Sequence, residues 1–216
     1  MLSRIKLRNS IFRLIPALAD IKERLSLLKL YPGWRSEGLS VPAPHPIKRA
    51  LLMREANRIN AETFVETGTF TGDTVWFMRS SFRKIISIEV QKDLAAIAAK
   101  RFRAHKHIKI VEGDSAEVLA NSLPEMVGPV LFWLDGHYSA GITGKGKKDC
   151  PIYEELASIA SQPPATFSIV IDDFRCFGTE PGYPTFDELS KYITGLFPRF
   201  NIETELDMIW CREASR

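Results

Sequence analysis

Carboxylates and glycines recur in this sequence just after short apolar runs, where a chain would leave a strand. The first run closes in Glu66-Thr67-Gly68-Thr69-Phe70-Thr71-Gly72-Asp73, with two glycines four apart. Glycine lets backbone N–H groups approach a ligand closely and tolerates positive φ in a tight turn. The spacing departs from G-x-G-x-x-G, which disfavours a dinucleotide fingerprint, and the pattern also serves a purely structural strand-to-helix turn. Glu89 closes the second run, where a carboxylate can accept hydrogen bonds from both hydroxyls of a ribose. The third run closes in Glu112-Gly113-Asp114-Ser115, where Asp114 either faces an adenine amino group or caps the following helix.

Two further runs end in Leu134-Asp135-Gly136-His137-Tyr138-Ser139 and Ile171-Asp172-Asp173-Phe174. Adjacent strands would bring Asp135, Asp172 and Asp173 to one rim, and three carboxylates together repel unless a cation or proton intervenes. An all-oxygen ligand set with room for water suits Mg²⁺, or less selectively Ca²⁺ or Mn²⁺. The bland reading is that Asp172 or Asp173 caps a helix or bonds a loop. A metal there would orient a substrate hydroxyl and lower its pKa, leaving a base to be found. His137 is the candidate base, with a satisfied loop histidine as the equal alternative. His45, His105 and His107 lack such context and read as surface or structural residues. The segment from Ala140 to Asp149 fails the phosphate-loop spacing. Its Lys145, Lys147 and Lys148 suit either a lid that attracts an anionic acceptor or a solvated loop. Arg175 either binds an acceptor carboxylate or neutralises Asp172 and Asp173.

The elements that must carry these residues alternate. Apolar, β-branched runs at Thr63–Glu66, Ile85–Val90, Ile108–Glu112, Val130–Asp135 and Phe167–Asp172 predict strands. Helical patterns at Asp73–Ser80, Lys92–His105, Ser115–Leu123 and Pro151–Ser161 are long enough to cross over and return parallel. The strands are apolar throughout, as strands covered by helices on both faces must be. A helix at Thr185–Leu196 leads to Phe200–Glu205 and Met208–Arg212, which can pair as a terminal antiparallel hairpin. Ahead of the first strand, Pro46–Asn60 reads as a helix. Ile11, Ile15, Leu18, Ile21, Leu25 and Leu28 form an amphipathic stripe starting near Pro16, suited to packing on the body, to a homo-oligomer or partner contact, or to a membrane surface.

With 216 residues, 45% hydrophobic and 25% charged, the chain can bury a substantial core, which excludes coiled-coil, collagen-like and disordered classes. The net charge is +3, yet residues 1–30 alone hold seven Lys or Arg against two acidic residues, so the remaining chain is slightly acidic. A nearly neutral body disfavours a nucleic-acid face. No apolar run is long enough to span a membrane, and Arg13 and Pro16 spoil a signal peptide. Cys150, Cys176 and Cys211 are odd in number and never in C-x-x-C, which points to a reducing, cytoplasmic setting.

On Glu66, Gly68, Gly72, Glu89 and Asp114, residues 60–212 resemble the class I S-adenosylmethionine-dependent methyltransferases. Phe70 stands where the family's middle glycine would be. E-T-G-T-F-T-G-D-T is similar to the loop of the catechol, caffeoyl-CoA and macrocin-type O-methyltransferases. The resemblance implies a cofactor site of Glu66, Thr67, Gly68, Thr69, Gly72, Glu89, Asp114 and Ser115, with Glu66 and the loop on the methionine, Glu89 on the ribose and Asp114 on the adenine. It also implies that Asp135, Asp172 and Asp173 hold a divalent ion such as Mg²⁺ that binds two substrate oxygens. The catechol-type enzymes carry a lysine at the place of Tyr138, so their base does not transfer to this chain.

The expected architecture is therefore α/β: a Rossmann-like, doubly wound, mostly parallel seven-stranded sheet with a C-terminal antiparallel hairpin. An N-terminal helical extension over 1–60 precedes a methyltransferase-like domain over 61–216. The expected function is methyl transfer to an oxygen of a small polar, sugar-like or catechol-like acceptor, anionic if the lysines of 140–149 act on it, with Asp135 and His137 at the chemistry. The rivals are the same fold serving a hydroxylase-like reaction, and a non-catalytic module docking through its basic leader.

Overall fold

A computed structural model describes residues 31–36, 38, 41–135 and 150–214. Helix α1 (His45–Ile59) enters through Pro44 and Pro46, where the missing N–H of proline costs nothing, and ends on Asn60 in the left-handed conformation. Strand β1 (Thr63–Thr67) follows, then α2 (Asp73–Met78), β2 (Lys84–Glu89), α3 (Lys92–Phe102), β3 (Ile108–Glu112) and α4 (Ser115–Ser122). The second half runs β4 (Val130–Leu134), α5 (Ile152–Ser161), β5 (Phe167–Ile171), α6 (Phe186–Leu196), β6 (Phe200–Glu205) and β7 (Met208–Glu213).

The seven strands form one sheet in the order β3-β2-β1-β4-β5-β7-β6, with β7 antiparallel to both of its neighbours and the other pairings parallel. Side chains alternate across each strand, and here both faces are dry. On one face Val65, Phe132, Leu134, Ile169 and Ile171 pack with Leu119 of α4, Leu156 of α5 and Ile193 of α6. On the other, Phe64, Leu131, Trp133 and Val170 pack with Leu52 of α1, Trp76 of α2 and Phe102 of α3. That double burial is why β1, β4 and β5 read as unbroken apolar runs. Helix α1, within the region read as an extension, joins the same core as the sheet. No helix of the described residues is long and apolar enough to cross a membrane.

Boundaries moved by a residue or a turn. The sheet releases Asp135 and Asp172 one position after the ladder ends, and α3 stops at Phe102 instead of His105. The basic leader helix, its oligomer or docking role, His137 and the lysine-bearing segment up to Asp149 lie outside the described residues.

Candidate active site

The chain order of the sheet reverses between β1 and β4, so their carboxyl ends flank the crevice where open α/β sheets bind ligands. A cavity of about 530 Å³ opens there, lined from one end by Glu89, Leu94, Gly113 and Ser115 and at the other by Asp135, Asp172 and Asp173. That volume is ordinary for a small-molecule site.

The glycine loop forms one wall. Gly68 and Gly72 have φ of 86° and 74°, and Phe70 between them has φ of 47°. The left-handed backbone at Phe70 is the conformation a glycine would take without strain, so the phenyl group that lines the cavity is held there against local preference. A Cβ on Gly72 would lie 2.7 Å from the ring of Phe102, so this glycine also answers to packing. Two amides after β1, Gly68 and Thr69, donate to the Ile88 carbonyl at 2.9 and 3.2 Å. The Phe70 amide donates to Glu89 Oε2 at 2.8 Å, and the Gln91 amide donates to Oε1 at 2.9 Å. Two backbone donors thus fix the Glu89 carboxylate at the cavity wall. Burial raises its pKa, and these amides offset part of that rise.

Glu66 is placed differently. Its carboxyl is buried behind the loop, does not line the cavity, and accepts a hydrogen bond from Ser87 Oγ at 2.6 Å, with Thr69 Oγ1 2.6 Å from the same hydroxyl. Burial pushes its pKa up to about 8. Asp114 caps α4, accepting from the Ala116 amide at 3.0 Å, while the neighbouring Ser115 lines the cavity. Thr67 supports the far end: its Oγ1 accepts from the Asp135 amide at 3.1 Å. Under this layer lies Glu155 of α5, fully buried, beside the hydroxyls of Ser115 and Thr67. Burial pushes its pKa up to about 7, with the Ser115 and Thr67 hydroxyls partly offsetting it.

At the acidic rim, the Asp172 amide donates to the Leu134 carbonyl at 3.1 Å, seating the β5 end beside the β4 end and so bringing the three aspartates together. Asp173 adopts φ of 58°, which short carboxylate side chains tolerate, and opens a 3-10 turn over Phe174–Cys176. Burial and the charges of Asp172 and Asp173 hold the Asp135 carboxyl well above the usual carboxylate range. Arg175 Nη1 donates to Asp173 Oδ1 at 2.8 Å and pairs with Asp207.

Two residues at this rim were not legible as site residues. Lys48 of α1 is 4% exposed, and its Nζ lies 2.6 and 2.7 Å from the two oxygens of Asp172 and 3.6 Å from Asp173 Oδ1. One turn earlier, His45 is an exposed residue, as its surface reading expects, and it also borders the cavity. Burial lowers its pKa, with the charges of Lys48 and Arg49 adding to the effect. The residues as placed do not fit a divalent ion. Among the described residues no group of three His, Cys, Asp or Glu is arranged to hold one, and an ammonium already sits against both oxygens of Asp172.

No protein-family model matches this sequence, and no curated protein does. Solved structures do match in three dimensions. An S-adenosylhomocysteine-bound methyltransferase, PaMTH1 of Podospora anserina, aligns over 92% of this chain and 96% of its own, at 14% identity and a TM-score of 0.57. The O-methyltransferase TomG of Streptomyces achromogenes, solved with S-adenosylmethionine, aligns over 88% and 90% at 17% identity and 0.54. A putative caffeoyl-CoA O-methyltransferase of Staphylococcus aureus aligns over 90% and 97% at 12% identity and 0.54. At such identities the likeness is one of fold: the Rossmann-like architecture of class I methyltransferases, spanned nearly end to end.

Proposed function

From that shared fold, we propose that this protein is an S-adenosylmethionine-dependent methyltransferase acting on an oxygen of a small polar acceptor. The observation that carries the reading is one continuous cavity at the topological switch point, with the pinned Glu89 carboxylate at one end and the Asp135–Asp172–Asp173 rim at the other.

The residues present suit a nucleoside with a charged tail. Glu89 keeps lone pairs on both oxygens beyond those taken by Phe70 and Gln91, enough to accept from two ribose hydroxyls. Ile88, Val90 and Leu94 give an apolar surface beside it for a base, and Ser115 adds a hydroxyl. The polar segment would run past Gly68 toward the rim. When bound, S-adenosylmethionine supplies an electrophilic methyl carbon: the acceptor oxygen bonds to it, the carbon–sulfur bond breaks toward sulfur, and the acceptor hydroxyl gives up its proton. Asp135 is the residue for that proton, because its carboxyl lines the cavity at the acceptor end. Pro42, Ala43 and Pro44 line the same cavity as the polar rim, and its volume of about 530 Å³ favours a small acceptor.

Calorimetric titration with S-adenosylmethionine and S-adenosylhomocysteine tests this. Micromolar binding in the wild type, weakened by Glu89→Ala, is the expected result. No binding of either compound to the folded protein would overturn the proposal.

A further inference from the structure

We propose that Lys48 is a built-in cation of the acceptor site: its ammonium takes the place of a divalent ion at the Asp172–Asp173 rim and positions the acceptor oxygen there. The argument starts from charge. Three carboxylates at the ends of β4 and β5 need a cation or protons to stay together in a buried place. The chain meets that need from α1, 124 positions away in sequence from Asp172, with an amine almost entirely removed from water. Burying a lysine is costly unless it is paired, and Lys48 is paired as closely as an ammonium can be.

A hard divalent ion would need carboxylate oxygens at about 2.0 to 2.6 Å, and Asp172 is the most central of the candidate ligands. Both of its oxygens already face Nζ at 2.6 and 2.7 Å. An ion ligated by Asp172 would therefore sit almost on top of a positive charge, in a setting where water screens it poorly. The two cations are alternatives.

The ammonium also has a free hand. It carries three N–H donors, two of them hydrogen-bonded to Asp172, while Asp173 Oδ1 at 3.6 Å is beyond hydrogen-bond distance, and Lys48 lines the cavity with Asp135, so the third donor is the one for an acceptor oxygen. A donor at that point holds the acceptor hydroxyl next to Asp135 and stabilises the negative charge that develops as its proton leaves. His45, one turn earlier on the same helix, borders the same space, so α1 forms a wall of the acceptor end. What lies against the ammonium during turnover rests on the methyl-transfer reading; the exclusion of a divalent ion does not.

The test uses the full chain and Mn²⁺, followed by the loss of the free-ion signal in electron paramagnetic resonance, with S-adenosylhomocysteine titrated separately. The wild type should take up no stoichiometric Mn²⁺ at micromolar to low millimolar concentration. Lys48→Ala, or Lys48→Met if the alanine variant does not fold, should bind Mn²⁺ at least tenfold more tightly than the wild type. One-to-one uptake by the wild type, or a folded Lys48 variant with no gain in Mn²⁺ affinity, would overturn the inference. Neither readout depends on methyl transfer, and the S-adenosylhomocysteine titration reports separately on the cofactor site.

Discussion

Replacing Glu155 with glutamine should change how the stability of this protein depends on pH. The carboxyl of Glu155 is fully buried between α5 and the end of β1, and its pKa is pushed from 4.5 to about 7 chiefly by burial. Below pH 4.5 the group is protonated in both the folded and the unfolded chain and contributes no pH dependence. Between 4.5 and about 7 the unfolded chain gives up the proton while the folded chain keeps it, so stability falls as pH rises. Above the folded pKa the loss is complete. At about 1.4 kcal/mol per pKa unit it comes to roughly 3 kcal/mol. Glutamine copies the shape of the neutral acid without the ionisation. Glu155→Gln should therefore match the wild type within about 1 kcal/mol near pH 4.5 and exceed it by roughly 3 kcal/mol at pH 8, on the order of 6–12 °C in Tm for a domain of this size. Urea denaturation of both proteins at several pH values between 4.5 and 8 measures the gap directly. The shift at Glu66 is common to both and cancels in the difference. A gap that stays constant across this range would refute the reasoning.

Three further outcomes are expected. Gly72→Ala forces a side chain into left-handed backbone and against the Phe102 ring, and should lower stability by about 2–4 kcal/mol in urea denaturation, with Phe102→Leu in the same chain restoring the steric part only. Glu89→Ala removes the acceptor of two backbone amides and of the proposed ribose contact; calorimetry should show S-adenosylhomocysteine affinity reduced at least tenfold, and an unchanged affinity would remove Glu89 from the site. Asp207→Ala deletes the acceptor that holds both the Arg175 amide and its guanidinium, so hydrogen exchange should quicken at residues 174–177 while cofactor affinity stays within about threefold.

Much of this was legible in the sequence because the fold writes it locally. Strands buried on both faces must be apolar at each position, and ligand groups in such a fold must follow strand ends, so Glu89, Ser115, Asp135, Asp172 and Asp173 could be picked out before any coordinates. Asp114 carried two readings, and the structure shows the cap. Lys48, His45 and Glu155 were not legible, for a common reason. They sit inside or at the start of helices, where a polar residue normally marks the wetted face; the tertiary docking of α1 and α5 buries Lys48 and Glu155 and leaves His45 exposed at the cavity mouth. Phe70 is a subtler case: its positive φ gives it the backbone path that a glycine follows freely, and the residue type alone does not announce that geometry.

The turn between β6 and β7 places Leu206 and Asp207 both at positive φ, and the Asp207 carbonyl accepts from the Phe174 amide at 2.9 Å while its carboxylate accepts from the Arg175 amide at 2.8 Å. Synthesis order gives this clasp a meaning of its own. A ribosome that has released β1 through β4 has already supplied the glycine loop, Glu89 and Ser115, so that end of the cavity can assemble early on the emerging chain. The aspartate rim cannot. It waits for a fastening made by the β6–β7 hairpin, and a chain cut short ahead of that hairpin would keep the Glu89 end of the cavity with the aspartate rim left unlatched.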